Sequence, residues 1–356
     1  MARQDMADAA ASMAPFLLLA LVCLASAVSA LVVRRMIGLA VLDVPGQRSA
    51  HERPVPKGGG VGMVVAILLG VPVVLAALPG SGRPIIATCL LLAAVLLLAA
   101  VSWADDLRQF GVQAKFGAQI GAAILSIGAV LATMPFCPSA WVLSLALPVA
   151  FCWLMLVANA VNFIDGLNGL ASGSALFASL FAAALGWMLA DPLLVAVSSM
   201  TAAGLAGFLP FNYPRARIFM GDVGSQVCGL LLGVFALLLA ADGLPGSWIV
   251  SGLFVPLMLA GILWDVIFTL CRRAFAHERL TQAHRGHLYQ VAARSFLSPA
   301  RVTLVHWGFV IWGGAIGLSL LPTCPAGAIV LVLLPQMIWT AIVRHRAVRA
   351  GLGRWS

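Results

Sequence analysis

Long apolar runs broken by short polar stretches make up almost the whole chain. Runs of membrane-spanning length fall near 14–33, 61–79, 85–103, 116–134, 140–158, 169–189, 193–210, 226–241, 247–270, 302–321 and 326–343. About twenty apolar residues wound into a helix are long enough to cross the hydrocarbon core of a bilayer. The pattern predicts an all-α polytopic membrane protein with about eleven transmembrane helices, a single integral-membrane domain over 1–356. Its chemistry is then expected on the loops. Ala-Val-Ser-Ala at 27–30 has the look of a cleavage site, but Arg34-Arg35 follow the first run instead of preceding it. The expectation is an uncleaved first helix with its N-terminus outside.

Alternating the direction of the runs puts the stretches 34–60, 104–115, 159–168, 211–225, 271–301 and the tail from Arg344 on one side. Of the lysines and arginines, only Arg3 and Arg83 fall on the other. That asymmetry marks the basic side as cytoplasmic. The opposite connections, at 80–84, 135–139, 190–192, 242–246 and 322–325, are short, Pro- and Gly-rich turns. A composition 62% hydrophobic with mean hydropathy +1.05 excludes a soluble enzyme. A net charge of +9 would suggest nucleic acid in a soluble protein; here the membrane asymmetry accounts for it, and no nucleic-acid partner is expected. The seven cysteines show no metal spacing and read mainly as packing residues. Cys137 and Cys324, both in outer turns beside prolines, form a candidate disulfide.

Only 9% of the residues are charged and 12 are acidic, so each acid near a membrane run needs a reason. Asp222 lies in Phe219-Met220-Gly221-Asp222-Val223-Gly224-Ser225, a polar seam between two apolar runs. Glycines let backbone approach an anion, and Mg²⁺ favours one carboxylate when phosphates complete its shell. Asp222 therefore reads as a Mg²⁺ ligand, the alternative being a cap on the helix that follows. Asp105-Asp106 end another apolar run, where the helix dipole disfavours anions and a bound cation would relieve the penalty. One of the two could bind metal while the other handles a proton.

The remaining loops add candidate binding groups. Arg48, Arg53 and Lys57 precede Gly58-Gly59-Gly60 and suit phosphate, although an ordinary basic loop looks the same. Asn159, Asn162, Asp165 and Asn168 could read a base and ribose by hydrogen bonds. Phe219 could stack on a nucleobase or anchor the chain at the interface. Arg285 and His287 suit a diphosphate or a sugar, whereas zinc at His284 and His287 lacks a supporting ligand set. Asp265, about two turns before Arg272, reads as a partner for a basic residue, with no role in the chemistry assigned to it.

Taken in order, four elements resemble the polyprenyl-phosphate N-acetylaminosugar-1-phosphate transferases, over nearly the whole chain from Asp43 to about Gln290. They are Asp43-Val-Pro with Arg48, His51, Pro56 and Gly59-Gly60; Asp105-Asp106; Asn159, Asn162, Asp165-Gly and Asn168-Gly-Leu-Ala; and Phe219-Met-Gly-Asp222-Val-Gly-Ser. The resemblance implies a multi-pass enzyme of the bacterial inner membrane with ten or eleven helices and a cytoplasmic active site. It implies Mg²⁺-dependent transfer, with Mn²⁺ as a substitute, of a sugar 1-phosphate from a UDP-N-acetylamino sugar to undecaprenyl phosphate, releasing UMP. A homodimer is compatible with it. It also implies Asp222 at the metal, Asp105 and Asp106 at the lipid phosphate with one a proposed base, and the Asn/Asp loop with Phe219 at the uridine. Arg48, His51, Arg53, Arg285 and His287 are then further substrate contacts.

The fifth loop departs from the family pattern. His287-Leu-Tyr289-Gln290 stands where many relatives have His-x-His-His, and His284 stands where many have Asp. The resemblance therefore leaves the sugar open between GlcNAc and 6-deoxy sugars such as FucNAc or QuiNAc, as used to start O-antigen. It points away from the pentapeptide-bearing MurNAc donor. A membrane transporter and a Mg²⁺-dependent prenyltransferase are the competing classes. A transporter would place its acids near mid-membrane and often show two similar halves, and a prenyltransferase would carry Asp-rich motifs on two helices; neither is seen here.

Overall fold

The computed structural model describes residues 2–43, 54–78, 84–108, 111–134, 139–241, 248–279, 282 and 284–352. In chain order the helices are α1 Ala2–Leu39, α2 Gly60–Ala77, α3 Ile85–Arg108, α4 Val112–Leu131, α5 Ala140–Ile164, α6 Leu170–Met188, α7 Pro192–Asn212, α8 Gly221–Ala241, α9 Trp248–Met258, α10 Ala260–Phe275, α11 Leu288–Ser295, α12 Pro299–Ser319 and α13 Pro325–Arg349. Between α1 and α2, β1 Leu42–Asp43 pairs antiparallel with β2 Val55–Pro56. Arg48, His51 and Arg53 lie outside the described residues, as do Cys137 and with it the candidate disulfide.

Ten described helices are long and apolar enough to span a membrane. The expected straight span over 247–270 is instead α9 and α10, bent by 74° at a break near Leu259. Counting that pair once gives the expected eleven. Pro256, three residues before the break, lacks the N–H that would continue the ladder. Starts are specified locally: Asp191 accepts from Leu193 N and Leu194 N at 2.9 and 3.0 Å, with Pro192 at the first helical position of α7.

The bundle is organised around α7 and α8, whose spanning windows are 83% and 89% buried against 11% for α5. Small residues let the backbones close up, as expected where lipid provides no hydrophobic drive between helices. A Cβ on Gly60 of α2 would lie 2.3 Å from Gly224 Cα and N of α8, so the two glycines put these helices in backbone contact. Buried polar links add specificity: Ser29 Oγ donates to Gly204 O at 2.7 Å, and Trp153 Nε1 to Gly233 O at 3.0 Å.

The helices run further than the apolar runs. Because α3 ends at Arg108, α5 at Ile164 and α8 starts at Gly221, Asp105, Asp106, Asn159, Asn162 and Asp222 sit in helix ends. The expected loop at 159–168 shrinks to a turn between α5 and α6. These polar groups find partners on neighbouring helices, which removes the reason to unwind before them. Gly60→Val is expected to push α2 off α8 and cost about 1–3 kcal/mol. The unfolding temperature in detergent should fall, whereas Gly308→Ala, which meets no heavy atom within 4 Å, should leave it level or raise it.

Candidate active site

Three acids meet at one pole of the bundle. Asp222 occupies the first turn of α8, where the helix N-terminus favours an anion. Lys115, on the first turn of α4, reaches between helices with Nζ 2.5 Å from Asp222 Oδ2 and 2.5 Å from Asp105 Oδ2. Lys57, between β2 and α2, pairs with Asp106 Oδ1 at 2.9 Å. Asp105 and Asp106, adjacent on α3, thus take different lysines, as their different directions on a helix allow.

Backbone bonds lock the first loop onto the seam. Phe219 N donates to Pro56 O, Gly59 N to Phe219 O and Gly60 N to Met220 O, at 2.8, 2.9 and 2.9 Å. Gly221 has φ +73, and a Cβ there would stand 3.0 Å from Asp106 Oδ2 and 3.2 Å from Gly58 N. A side chain at 221 would therefore be strained and would crowd Asp106. The three glycines at 58–60 serve this docking. Lys57 is held at the seam by Asp106.

Asn162 donates to Asp222 Oδ1 at 3.0 Å and to Ser225 Oγ at 2.8 Å. Asn159, one turn deeper, donates to Met155 O at 2.7 Å and exchanges bonds with Gln119, which also reaches Gln226 Oε1 at 3.2 Å. Asn159 thus belongs to an amide network under the site. Asn168 donates to Pro214 O at 3.2 Å and its own carbonyl accepts from Thr303, tying the third loop to the fourth and to α12. Asp165, in the turn after α5, is pushed well above the usual carboxylate range by burial, then by the charges of Asp222 and Asp106. It therefore shares the electrostatic environment of the acid cluster.

The fifth loop packs on the same end. His287 Nδ1 lies 3.0 Å from Asp265 Oδ1, and its ring stacks on His284 at 4.9 Å. Asp265 thus pairs with a basic residue, as expected, and that residue is His287. Tyr289 is fully buried and donates to Phe163 O at 3.0 Å, while Gln290 Oε1 accepts from His287 N. The two positions that depart from the family histidines are thus an internal strut and a helix cap. Arg285 accepts at its carbonyl from Arg294. Burial and then the charges of His287, Arg273 and Arg272 hold His284 down to about 4.

A divalent cation fits the acids in one way. Among the described residues no three His, Cys, Asp or Glu side chains form a metal cluster, so a protein-only cage is absent. Asp222 is the most open of the three carboxylates, at 28% against 9% and 7% for Asp105 and Asp106. Asp105 Oδ1 and Asp106 Oδ2 are buried with no hydrogen-bond partner. One open carboxylate backed by two with spare acceptors matches an ion whose shell is completed by substrate phosphates. Sequence reading missed Lys115 as a bridge and the Gln119–Gln226 network. A lysine at a helix end on the basic side of the chain is indistinguishable there from a topology marker.

The glycosyl transferase family 4 pattern matches residues 88–240, the segment from α3 to α8 that carries all three acids. The chain is 27% identical over 300 residues to a probable undecaprenyl-phosphate N-acetylglucosaminyl 1-phosphate transferase of Bacillus subtilis, spanning 82% of this chain and 81% of that one. It is 32% identical over 244 residues to a phospho-N-acetylmuramoyl-pentapeptide-transferase of Chlamydia muridarum, spanning 60% and 69%. The chain belongs to the polyprenyl-phosphate sugar-1-phosphate transferase superfamily. A decaprenyl-phosphate N-acetylglucosaminephosphotransferase of Mycobacterium tuberculosis matches this transferase at 29% over 345 residues, spanning 84% and 82%. Membership sets aside the transporter and prenyltransferase readings.

The coupling of Asp165 to the cluster is testable in this transferase. A negative charge at Asp222 raises the Asp165 pKa, so Asp222→Asn should lower it. Carboxyl ¹³C titration of the two proteins in detergent without divalent metal reads the change; an Asp165 value unchanged or higher contradicts the placement.

Proposed function

We propose that this transferase moves an N-acetylamino-sugar 1-phosphate from a UDP-sugar to undecaprenyl phosphate, releasing UMP, with Mg²⁺ bound at Asp222. The carrying observation is the meeting of Asp105, Asp106 and Asp222 with Lys57 and Lys115 at one pole, beside Asn162 and Asp165. The charge asymmetry of the loops supports a cytoplasmic site on the bacterial inner membrane. The product would start O-antigen or a related surface polysaccharide.

The reaction joins two anions. An oxygen of the lipid phosphate forms a bond to the sugar-bearing phosphorus of the donor, and the bond from that phosphorus to the bridging oxygen breaks, leaving with UMP. Catalysis of such a displacement is mainly charge neutralisation and in-line positioning. Mg²⁺, when bound, supplies neutralisation at the diphosphate. Lys57 and Lys115 add positive charge and are themselves held in place by Asp106 and Asp105. A phosphate monoester is already partly dianionic near neutral pH. One of the acid pair is needed as a base only for the monoanion, and each has an oxygen without a partner to accept that proton.

Asn162 holds Asp222 in register, and half-buried Phe219, three residues before Asp222 in the seam, is assigned to the nucleobase. Asp165 and Asn168, in the same turn, are assigned to the uridine, and Arg285 with His287, in the fifth loop, to the diphosphate or sugar. Tyr289 is buried on Phe163 O and Gln290 caps His287 N, so both positions that depart from the family histidines are engaged within the protein. Relatives named for N-acetylglucosamine make UDP-GlcNAc the first donor to test, with UDP-FucNAc and UDP-QuiNAc beside it.

Purified protein mixed with undecaprenyl phosphate, Mg²⁺ and each donor should release UMP and form a lipid diphosphate sugar with at least one of them. Asp222→Asn should abolish this, a loss of at least about a thousandfold given the size of electrostatic contributions to transfer. Wild-type activity in that variant contradicts the assignment.

A further inference from the structure

Among the described acids that the proposed chemistry does not use, Asp265 is the most buried, at 1% exposure. It sits in the middle of α10, past the 74° bend, where a membrane-embedded carboxylate is costly unless its acceptors are filled. They are filled by one short segment. Oδ1 takes His287 Nδ1 and Leu288 N, each at 3.0 Å, and Oδ2 takes Tyr289 N at 2.9 Å. Thr269 Oγ1, one turn along α10, donates to Oδ1 at 3.3 Å.

Three consecutive residues at the start of α11 thus converge on one carboxylate. Such an arrangement does two things. It fixes the helix start, and it fixes which nitrogen of His287 carries a proton, because an ionised carboxylate can only accept. Nδ1–H must then point at Asp265, leaving Nε2 as the acceptor nitrogen of the ring. Neighbours hold the ring plane: His284 stacks on one side at 4.9 Å, Tyr289 lies at 5.7 Å, and Phe163 at the end of α5 lies at 6.3 Å. Phe163 follows Asn162, the Asp222 partner, so the ring stands against the same corner of the site as the acids.

We propose that Asp265 is a positioning residue for transfer: it holds His287 in the Nδ1–H form with Nε2 directed at the donor's diphosphate or sugar. The proposal rests on the function given above and deepens it. Asp265 itself touches no substrate; it acts through His287. The bend between α9 and α10 has a purpose in this account, since it brings a membrane carboxylate under the fifth loop.

Asp265→Asn separates positioning from mere anchoring. An amide has one acceptor oxygen where the carboxylate has two: with that oxygen kept on Tyr289 N, its NH2 faces His287 and donates to Nδ1 instead of accepting from it, so the preferred tautomer is lost, as it is in Ser-His-Asp enzymes. The expected result is a kcat lower by at least about tenfold, in the range seen when a carboxylate behind a working histidine is removed, with KM for the lipid phosphate unchanged. Combined with His287→Ala, Asp265→Asn should cost nothing further, because its effect is transmitted by the ring. A double variant well below His287→Ala overturns the proposal in favour of simple anchoring of α11. A second readout needs no turnover and tests the idea even if no UDP-sugar is a substrate. In ¹⁵N-histidine spectra of the wild-type protein, the His287 resonance, assigned by its loss in His287→Ala, should report a protonated Nδ1. An Nε2–H neutral tautomer there contradicts the proposal. Wild-type inactivity with every donor, alongside a pinned Nδ1–H, would instead count against the proposed reaction alone.

Discussion

The structure depends on keeping like charges together in a place that would otherwise drive them apart. Asp105 and Asp222 oxygens each lie 2.5 Å from one ammonium, that of Lys115, so they are about 5 Å apart at most. Two carboxylates at that distance repel by about 3 kcal/mol at the effective dielectric of a partly buried site. Lys115 offsets the repulsion for that pair and Lys57 for Asp106. Neither lysine fills the cluster's capacity, since Asp105 Oδ1 and Asp106 Oδ2 keep unused acceptors. A site so arranged is held together by cations and still has room for another. That is the electrostatic condition for bringing two phosphorylated molecules to one point.

The rest of the fold serves this pole. Backbone contact between Gly60 and Gly224 seats α2 on α8. That contact lets the first loop hydrogen-bond along Phe219 and Met220, bringing Lys57 to Asp106. Beneath the acids, the Asn159–Gln119–Gln226 amides join α4, α5 and α8. A change in any of these helices would therefore reach Asp222 through bonded partners. The fifth loop is tied to the same end of the bundle by Asp265 and by Tyr289 on Phe163 O.

Much of this was legible in the sequence for a physical reason. In a chain this apolar an acid at a helix end is conspicuous, so Asp105, Asp106 and Asp222 stood out, and Gly beside Asp222 marked a close approach. The number of spans followed from run length. What was not legible depended on distance in the chain. Lys115 lies 107 residues from Asp222, and nothing in a helix-end lysine distinguishes a bridge from a topology marker. Asp265 and His287 are 22 residues apart, across a loop whose path periodicity does not describe. The bend near Leu259 was hidden because Pro256 sits in an apolar run of full spanning length, and spanning helices tolerate proline. Helix ends were placed too early because hydropathy falls at the first polar residue, while the helix continues as long as those residues find partners.

The central claim is that the acid pole traps a divalent ion that the two phosphates share. Anomalous scattering from crystals soaked with Mn²⁺ and a UDP-sugar tests it most directly. The account predicts one strong peak at coordination distance, about 2.1 Å, from an Asp222 carboxylate oxygen and in contact with the donor diphosphate. A peak away from Asp222, or a bound diphosphate with no ion between it and the acids, would contradict it.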